Sequence, residues 1–280
     1  MSQEACTSAS PIRCLIFDVD DTLYDVGTGF TAHRNGDGAE LFMVEKLGFP
    51  DRASAKTVRD FYFEKYHSTA KALTVAQKEG KLPEGAPTFQ AKDLAEYWAT
   101  NLNFDLLGDP KTQFLKDLQD SPLKLVAFSN GPRKYVTRVL KQLGLWQVFG
   151  EEALFAVDDV LPFCKPEKEA FEIVCNKINV KPHECVIVED SMKNIRKAKL
   201  LGLKTILVAG KGRKQSSRSD TATSTATSNG AGAGADASEL TKPGDAPIED
   251  DPAVDLCVEV VEEMRTALPG LWQTPATLTG

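Results

Sequence analysis

The chain has 280 residues, of which 42% are apolar and 26% charged, and its formal net charge is −7 from 33 Lys+Arg against 40 Asp+Glu. Such a length holds one large domain or two modest ones, and the composition is that of an ordinary soluble globular protein. The acidic balance disfavours a general nucleic-acid binder, and no apolar run approaches the roughly 18–20 residues that cross a bilayer. Neither nucleic acid nor a membrane is therefore expected as a partner.

Residues 1–10 are expected to be a disordered lead-in. They carry no basic residue and no apolar core, so they do not read as a secretory signal. The six cysteines (Cys6, Cys14, Cys164, Cys175, Cys185, Cys257) are scattered and form no CxxC pair. Buried thiols in a reducing compartment are favoured over a disulfide framework or a zinc site, which points to the cytoplasm.

The first strong signal follows. Ile12 to Phe17 is a short, mostly apolar run, broken only by Arg13, and reads as a buried strand. It ends in Asp18, Asp20 and Asp21. Bare carboxylates at a buried strand end are costly unless a cation or hydrogen bonds compensate them. In open α/β sheets the carboxyl ends of strands are where ligands bind. A divalent-metal or phosphoryl site is one reading, and a solvated acidic turn is the other.

Residues 26–105 show helical rather than strand-like periodicity. Leu41, Val44 and Leu47 share one face; Val58, Phe61, Tyr62, Tyr66, Thr69 and Leu73 share another over a longer segment; Leu94, Tyr97, Trp98 and Leu102 form a third. Gly36 to Gly38 and Gly80 to Pro87 read as breaks. The block is expected to be an all-helical unit inserted after the first strand.

From Asp109 strands and helices alternate. Helices are expected at Lys111–Leu118, Pro132–Leu143, Pro166–Ile178 and about Met192–Leu201, with strands at Leu123–Phe128, Ala153–Val157, Cys185–Val188 and Thr205–Val208. This alternation predicts a doubly wound parallel α/β sheet of Rossmann-like type, with residues 11–25, 106–209 and 252–272 as its core. Ser, Thr, Gly, Ala and Asp dominate residues 210–251, which are expected to be a disordered low-complexity insert. An edge strand at Val254–Val258 and a last helix at Glu259–Leu268 follow. Lys211, Arg213, Lys214 and Arg218 at the start of the insert read as a solvated loop edge; the other reading is a nuclear-import patch, which would add the nucleus to the expected location.

Three further junctions carry chemistry-bearing residues. Ser129-Asn130-Gly131-Pro132 follows the second strand and reads as an anion seat at a helix start, or as a plain helix cap. Lys165 stands just before a Pro-led helix, and Glu189-Asp190-Ser191 repeats the strand-into-carboxylates arrangement. In this order, with Asp18-Val19-Asp20-Asp21-Thr22-Leu23-Tyr24 at the front, the chain resembles the haloacid dehalogenase-like hydrolase superfamily with a helical cap inserted after the first strand. The resemblance narrows through Asp21-Thr22-Leu23-Tyr24, Thr28-Gly29, Tyr66-His67-Ser68-Thr69, Cys164 to Phe171 and Ala267 to Trp272. These are similar to the pyrimidine 5′-nucleotidase branch of fungi and plants, which includes the suppressor of disruption of transcription elongation factor S-II. Asp25, Ser129-Asn130, Glu189 and the early cap from Arg34 to Gly38 depart from that branch. The departures bear on the substrate, not on the reaction type.

The resemblance implies a magnesium-dependent phosphomonoesterase working through an aspartyl-phosphate. Asp18 would be the nucleophile and Asp20 the general acid/base; Ser129 and Lys165, with Asn130 and Gly131, would hold the phosphate. Magnesium would be bound by the Asp18 and Asp190 carboxylates and the Asp20 backbone carbonyl, with Glu189 in or near its shell. Asp20 is expected to have its pKa raised by neighbouring carboxylates. Thr22 is expected to orient Asp20, and Asp21 to be a turn residue. Arg34, Tyr66 and His67 from the cap are expected to contact the leaving group, with surface exposure or core packing as the plain reading of each. The expected substrate is a small phosphorylated metabolite, a nucleoside 5′-monophosphate first. A sugar-phosphate phosphatase or mutase is the alternative, and a non-catalytic phosphate-ligand binder a distant third. A dehalogenase would not need the acid at Asp20.

Overall fold

Alternating side chains of one short strand set the two faces of this molecule. β1 (Cys14–Phe17) is wholly buried, with Cys14 and Ile16 in one apolar cluster and Leu15 and Phe17 in another, as the two-residue period of a strand covered on both sides requires. The structure, a computed structural model, describes residues 11–211, 213 and 246–273. The expected lead-in at 1–10 and most of the expected insert lie outside the described residues.

After β1 come α1 (Phe30–His33), a π-helical stretch Arg34–Glu40, α2 (Leu41–Leu47), α3 (Arg52–Tyr66), α4 (Thr69–Lys78) and α5 (Ala91–Asn101). Then follow α6 (Thr112–Gln119), β2 (Lys124–Phe128), α7 (Arg133–Gln142), α8 (Trp146–Phe149), β3 (Leu154–Phe155), α9 (Lys168–Ile178), β4 (Cys185–Glu189), α10 (Met192–Leu200), β5 (Lys204–Val208), β6 (Leu256–Val258) and α11 (Met264–Ala267). Among the described residues the strands form one six-stranded sheet in the order β3-β2-β1-β4-β5-β6, with every pairing parallel. This is the doubly wound α/β fold that the alternation predicts. The strand order reverses at β1, which is where such sheets open a crevice for ligands. Phe17 is in register with Ala127 of β2 and Val188 of β4, so the residues just past those three strand ends are brought side by side.

The helices between β1 and β2 share the apolar cluster of one sheet face. Phe30, Phe42, Tyr97 and Trp98 lie in the same buried group as Leu15, Phe17 and Tyr135. Three local readings change here. The single long face from Val58 to Leu73 is two helices, because His67 takes a left-handed conformation (φ 47°) that ends α3, and Ser68 starts α4 as its cap. Gly36 to Gly38 is not a break: the chain stays helical through a π-helical stretch. Gly38 is needed there for close approach, since a Cβ would lie 2.8 Å from Leu102 Cδ2 and 3.1 Å from Trp98 Nε1. Pro132 and Pro166 precede their helices in place of opening them, as α7 starts at Arg133 and α9 at Lys168.

The edges of the expected insert are ordered parts of the core. Ile248 is buried with Met192, Ile195 and Leu207, Asp251 accepts from Arg196, and Arg213 is buried. The described cysteines are free thiols, and Cys14 and Cys185 face each other across β1 and β4. No described helix is long and apolar enough to cross a membrane.

One turn is sterically exacting. A Cβ on Gly131 would sit 2.9 Å from the Tyr135 ring and 3.1 Å from Val136 Cγ2, both fully buried. Gly131→Ala is therefore predicted to destabilise the fold by about 1–3 kcal/mol through overpacking. Chemical denaturation would show the loss as a lower midpoint; an unchanged midpoint would mean that the turn relaxes freely.

Candidate active site

Asp18 continues β1 by one residue, its N–H donating to the Val188 carbonyl. Lys165 reaches it from the loop between β3 and α9. Its Nζ donates to Asp18 Oδ1 (2.6 Å), Glu189 Oε2 (2.8 Å) and the Phe128 carbonyl (2.7 Å), which uses all three ammonium protons. The loop is clamped by Asn130, whose Oδ1 accepts from the Lys165 N–H and whose Nδ2 donates to the Lys165 carbonyl, each at 2.8 Å. The Asn130 side chain thus positions Lys165. Burial alone would pull the lysine's pKa down, but Asp18 and Glu189 outweigh it and the net shift is upward.

The carboxyls are shifted upward too, which for an acid disfavours the charged form. Burial pushes Asp18 up, Lys165 pulls it back, and Asp190 and Asp20 add repulsion; the result is a raised pKa. Glu189 is raised by burial and by Asp18, against the pull of Lys165. One lysine is not enough positive charge for this group of acids.

Asp20 is held by a different set. Its Oδ1 accepts from Tyr24 (2.8 Å) and Tyr135 (2.5 Å) and pairs with Arg34 Nη1 at 2.7 Å, while Oδ2 lies 3.4 Å from Ser129 Oγ. Hydroxyls and a guanidinium thus surround one of its oxygens. Burial pulls the Arg34 pKa down, but Asp20 and the two tyrosines outweigh it, so Arg34 is held charged. Thr22 does not orient Asp20; its hydroxyl donates to Asp18 Oδ2 at 3.3 Å. Asp21, at φ 63°, accepts from Thr31 at 2.6 Å as a buried turn residue.

A cavity of about 50 Å³ opens between the strand ends and the helical block, lined by Asp18, Asp20, Lys165 and Asp190 below and Arg34 and Trp98 above. On a scale where one water takes roughly 10–15 Å³, it has room for about four waters. Glu189, Asn130, Gly131 and His67 also line it. Arg34 is a buried residue whose guanidinium lies 5.6 Å from the Trp98 and Tyr135 ring centres, so its surface reading is excluded. Two expected contacts are not in the lining. Tyr66 ends α3 with its ring under the Lys65 and Lys71 ammonium groups, and Ser129 lies beneath the cavity floor, its hydroxyl accepting from the Gly131 N–H. His67 reaches the cavity edge with Nε2 2.7 Å from Lys193 Nζ.

The donor set suits a hard divalent cation. Asp18, Glu189 and Asp190 each offer a carboxylate oxygen within 4.8 Å of the others, the only such group among the described residues. The Asp20 carboxylate is not part of it. Counted at formal charge, five buried carboxyl groups (Asp18, Asp20, Asp21, Glu189, Asp190) face three buried basic groups (Lys165, Arg34, Arg213), a formal surplus of two negative charges. A divalent ion matches that remainder. Arg213 donates from Nη2 to Asp190 Oδ2 at 3.0 Å and lies 3.8 Å from Asp21 Oδ2. Tyr24, Tyr135, Trp98 and Arg213 are site residues that sequence reasoning missed. Tyr24 had a signal, standing four residues after Asp20; Tyr135 had none.

Comparisons with known proteins bear on the family and the fold. The family model for haloacid dehalogenase-like hydrolase matches residues 12–202. Validoxylamine A 7′-phosphate phosphatase of Streptomyces hygroscopicus subsp. limoneus is 32% identical over 95 residues, 34% of this chain and 43% of that protein, so the chain spans less than half of its length. N-acetylmuramic acid 6-phosphate phosphatase of Pseudomonas putida is 24% identical over 199 residues, 70% of this chain and 82% of that one. Among solved structures, a phosphatase of the same superfamily from Thermococcus onnurineus shares the fold with a TM-score of 0.55 at 19% identity, covering 92% of this chain and 99% of that chain. With the family model spanning more than half of the sequence, the chain belongs to the haloacid dehalogenase-like hydrolases.

Proposed function

We propose that this chain is a magnesium-dependent phosphomonoesterase that works through an aspartyl-phosphate on Asp18, with a small sugar phosphate or a phosphorylated metabolite of similar size as substrate. The observation that carries the reading is Lys165 bridging Asp18 and Glu189 at the floor of a cavity that Asp20 and Asp190 also line. A dehalogenase has no use for a second acid at Asp20 or for the acidic pair at the end of β4.

A divalent ion held by Asp18, Asp190 and Glu189 would offset the two unbalanced negative charges and allow a phosphate dianion into an acidic cavity. The rest is the work of the chain's own groups. Asp18, aimed by Lys165 on one oxygen and Thr22 on the other, attacks phosphorus in line as the ester bond to the leaving oxygen breaks. Lys165 offsets charge on the transferring phosphoryl group. Asp20, fixed at Oδ1, passes a proton from Oδ2 to the leaving oxygen and later takes one from the water that hydrolyses the aspartyl-phosphate. The helical block between β1 and β2 acts as the cap, with Arg34 and Trp98 over the leaving group, and excludes bulk water.

One observation favours sugar phosphates over nucleotides: the two curated relatives described above are phosphatases named for validoxylamine A 7′-phosphate and N-acetylmuramic acid 6-phosphate. The pyrimidine-nucleotidase reading rests on short motifs such as Asp21-Thr22-Leu23-Tyr24. The mutase alternative has the same core residues, and product analysis separates it.

Asp18→Asn is predicted to keep the fold and lower kcat by roughly four orders of magnitude or more, the scale of losing a nucleophile; phosphate release near the normal rate with an unchanged circular dichroism spectrum would place the nucleophile elsewhere. A chelator should abolish phosphate release and added magnesium restore it, whereas chelator-insensitive turnover would remove the metal from the account. Across a substrate panel, kcat/KM for hexose and pentose phosphates should exceed that for nucleoside 5′-monophosphates by about tenfold or more, a difference of roughly 1.4 kcal/mol. The reverse ranking would restore the nucleotidase reading.

A further inference from the structure

Two features of the sequence have no place in the mechanism above: Asp25, where the nucleotidase branch differs, and the basic stretch after β5. In the structure they meet. Asp25 Oδ1 accepts from the Gly27 N–H at 2.7 Å and Oδ2 from the Lys211 N–H at 2.8 Å, so one carboxylate ties the segment after β1 to the turn after β5. The Gly210 N–H donates to the Glu259 carbonyl and the Arg213 N–H to the Gly210 carbonyl, which fixes the turn on its other side. Gly210 adopts φ 80° against the Arg213 side chain. The result is an arginine side chain 1% exposed, pointing inward to the Asp190 carboxylate.

We infer that Arg213 is a positioning residue that sets the divalent-cation affinity of the site by competing for Asp190, with Asp25 holding the turn that delivers it. The inference rests on the metal-dependent reading above. A guanidinium and a divalent ion that face the same carboxylate repel each other in a poorly screened interior. Arg213 also supplies one of the three cations set against five buried carboxylates; without it the deficit is three charges instead of two. Its presence keeps the site from binding the cation more tightly than phosphate exchange allows. The sign is diagnostic, because damage to the site would weaken cation binding while loss of a competing charge strengthens it.

The test is calorimetric titration of magnesium into the full chain, which needs no substrate. R213Q should bind magnesium roughly fivefold or more tightly than the unaltered chain, by loss of a nearby like charge, and R213K, which keeps that charge, should stay within about twofold. Unchanged or weaker binding in R213Q would overturn the inference. If R213Q does not fold, D25A decides the matter: a smaller tightening supports the inference, and unchanged or weaker binding overturns it. If the unaltered chain and every variant bind no magnesium, the metal-dependent reading itself fails, a result distinct from loss of the Arg213 effect.

Discussion

Everything at this site depends on one buried ammonium group. Lys165 spends its three protons on Asp18, Glu189 and the Phe128 carbonyl, and removing one partner of a buried ion pair typically costs about 3–5 kcal/mol because the remaining charge is left uncompensated. The lysine makes it tolerable to gather acids at the ends of β1 and β4, yet it does not neutralise them, as the raised Asp18 and Glu189 carboxyls show. The remaining deficit is what the divalent ion of the proposed function would offset.

The fold supplies the gathering. Because the strand order turns at β1, its end is flanked by those of β2 and β4, so residues separated by more than a hundred positions meet without any long loop. The helical block adds what the sheet cannot. Arg34, carried on a π-helical stretch made possible by Gly38, reaches down to Asp20, and Tyr135 from α7 completes the set of donors on the same oxygen. Cap and core therefore share both an apolar cluster and the environment of the acid.

Much of this was legible in the residues. The fully buried strand at Cys14–Phe17 is visible because an apolar run ends abruptly in acids, and the βα alternation after Asp109 is strong enough to give the sheet class. Asp18, Lys165, Glu189 and Asp190 were each ambiguous alone, and their order at successive strand ends singled them out. What was not legible depends on tertiary contact. Periodicity cannot reveal that His67 turns left-handed and splits a helix, nor that Thr22 bonds to Asp18 in place of Asp20. Tyr66 and Tyr62 carry the same amphipathic signal as true lining residues but pack against the cap's own side chains. Arg213 was masked by composition: in a run of lysines and small polar residues, nothing marks an arginine that is folded inward.

The central claim is that the Asp18 carboxylate forms a covalent bond to phosphorus, and trapping that bond tests it most directly. The chain, turning over a sugar phosphate with magnesium, would be quenched in acid and its peptides analysed by mass spectrometry. The account predicts a phosphoryl group on the peptide that contains Asp18, assigned to Asp18 by fragmentation. Phosphate release without any phosphorylated aspartate, or with the group on another residue, would contradict it.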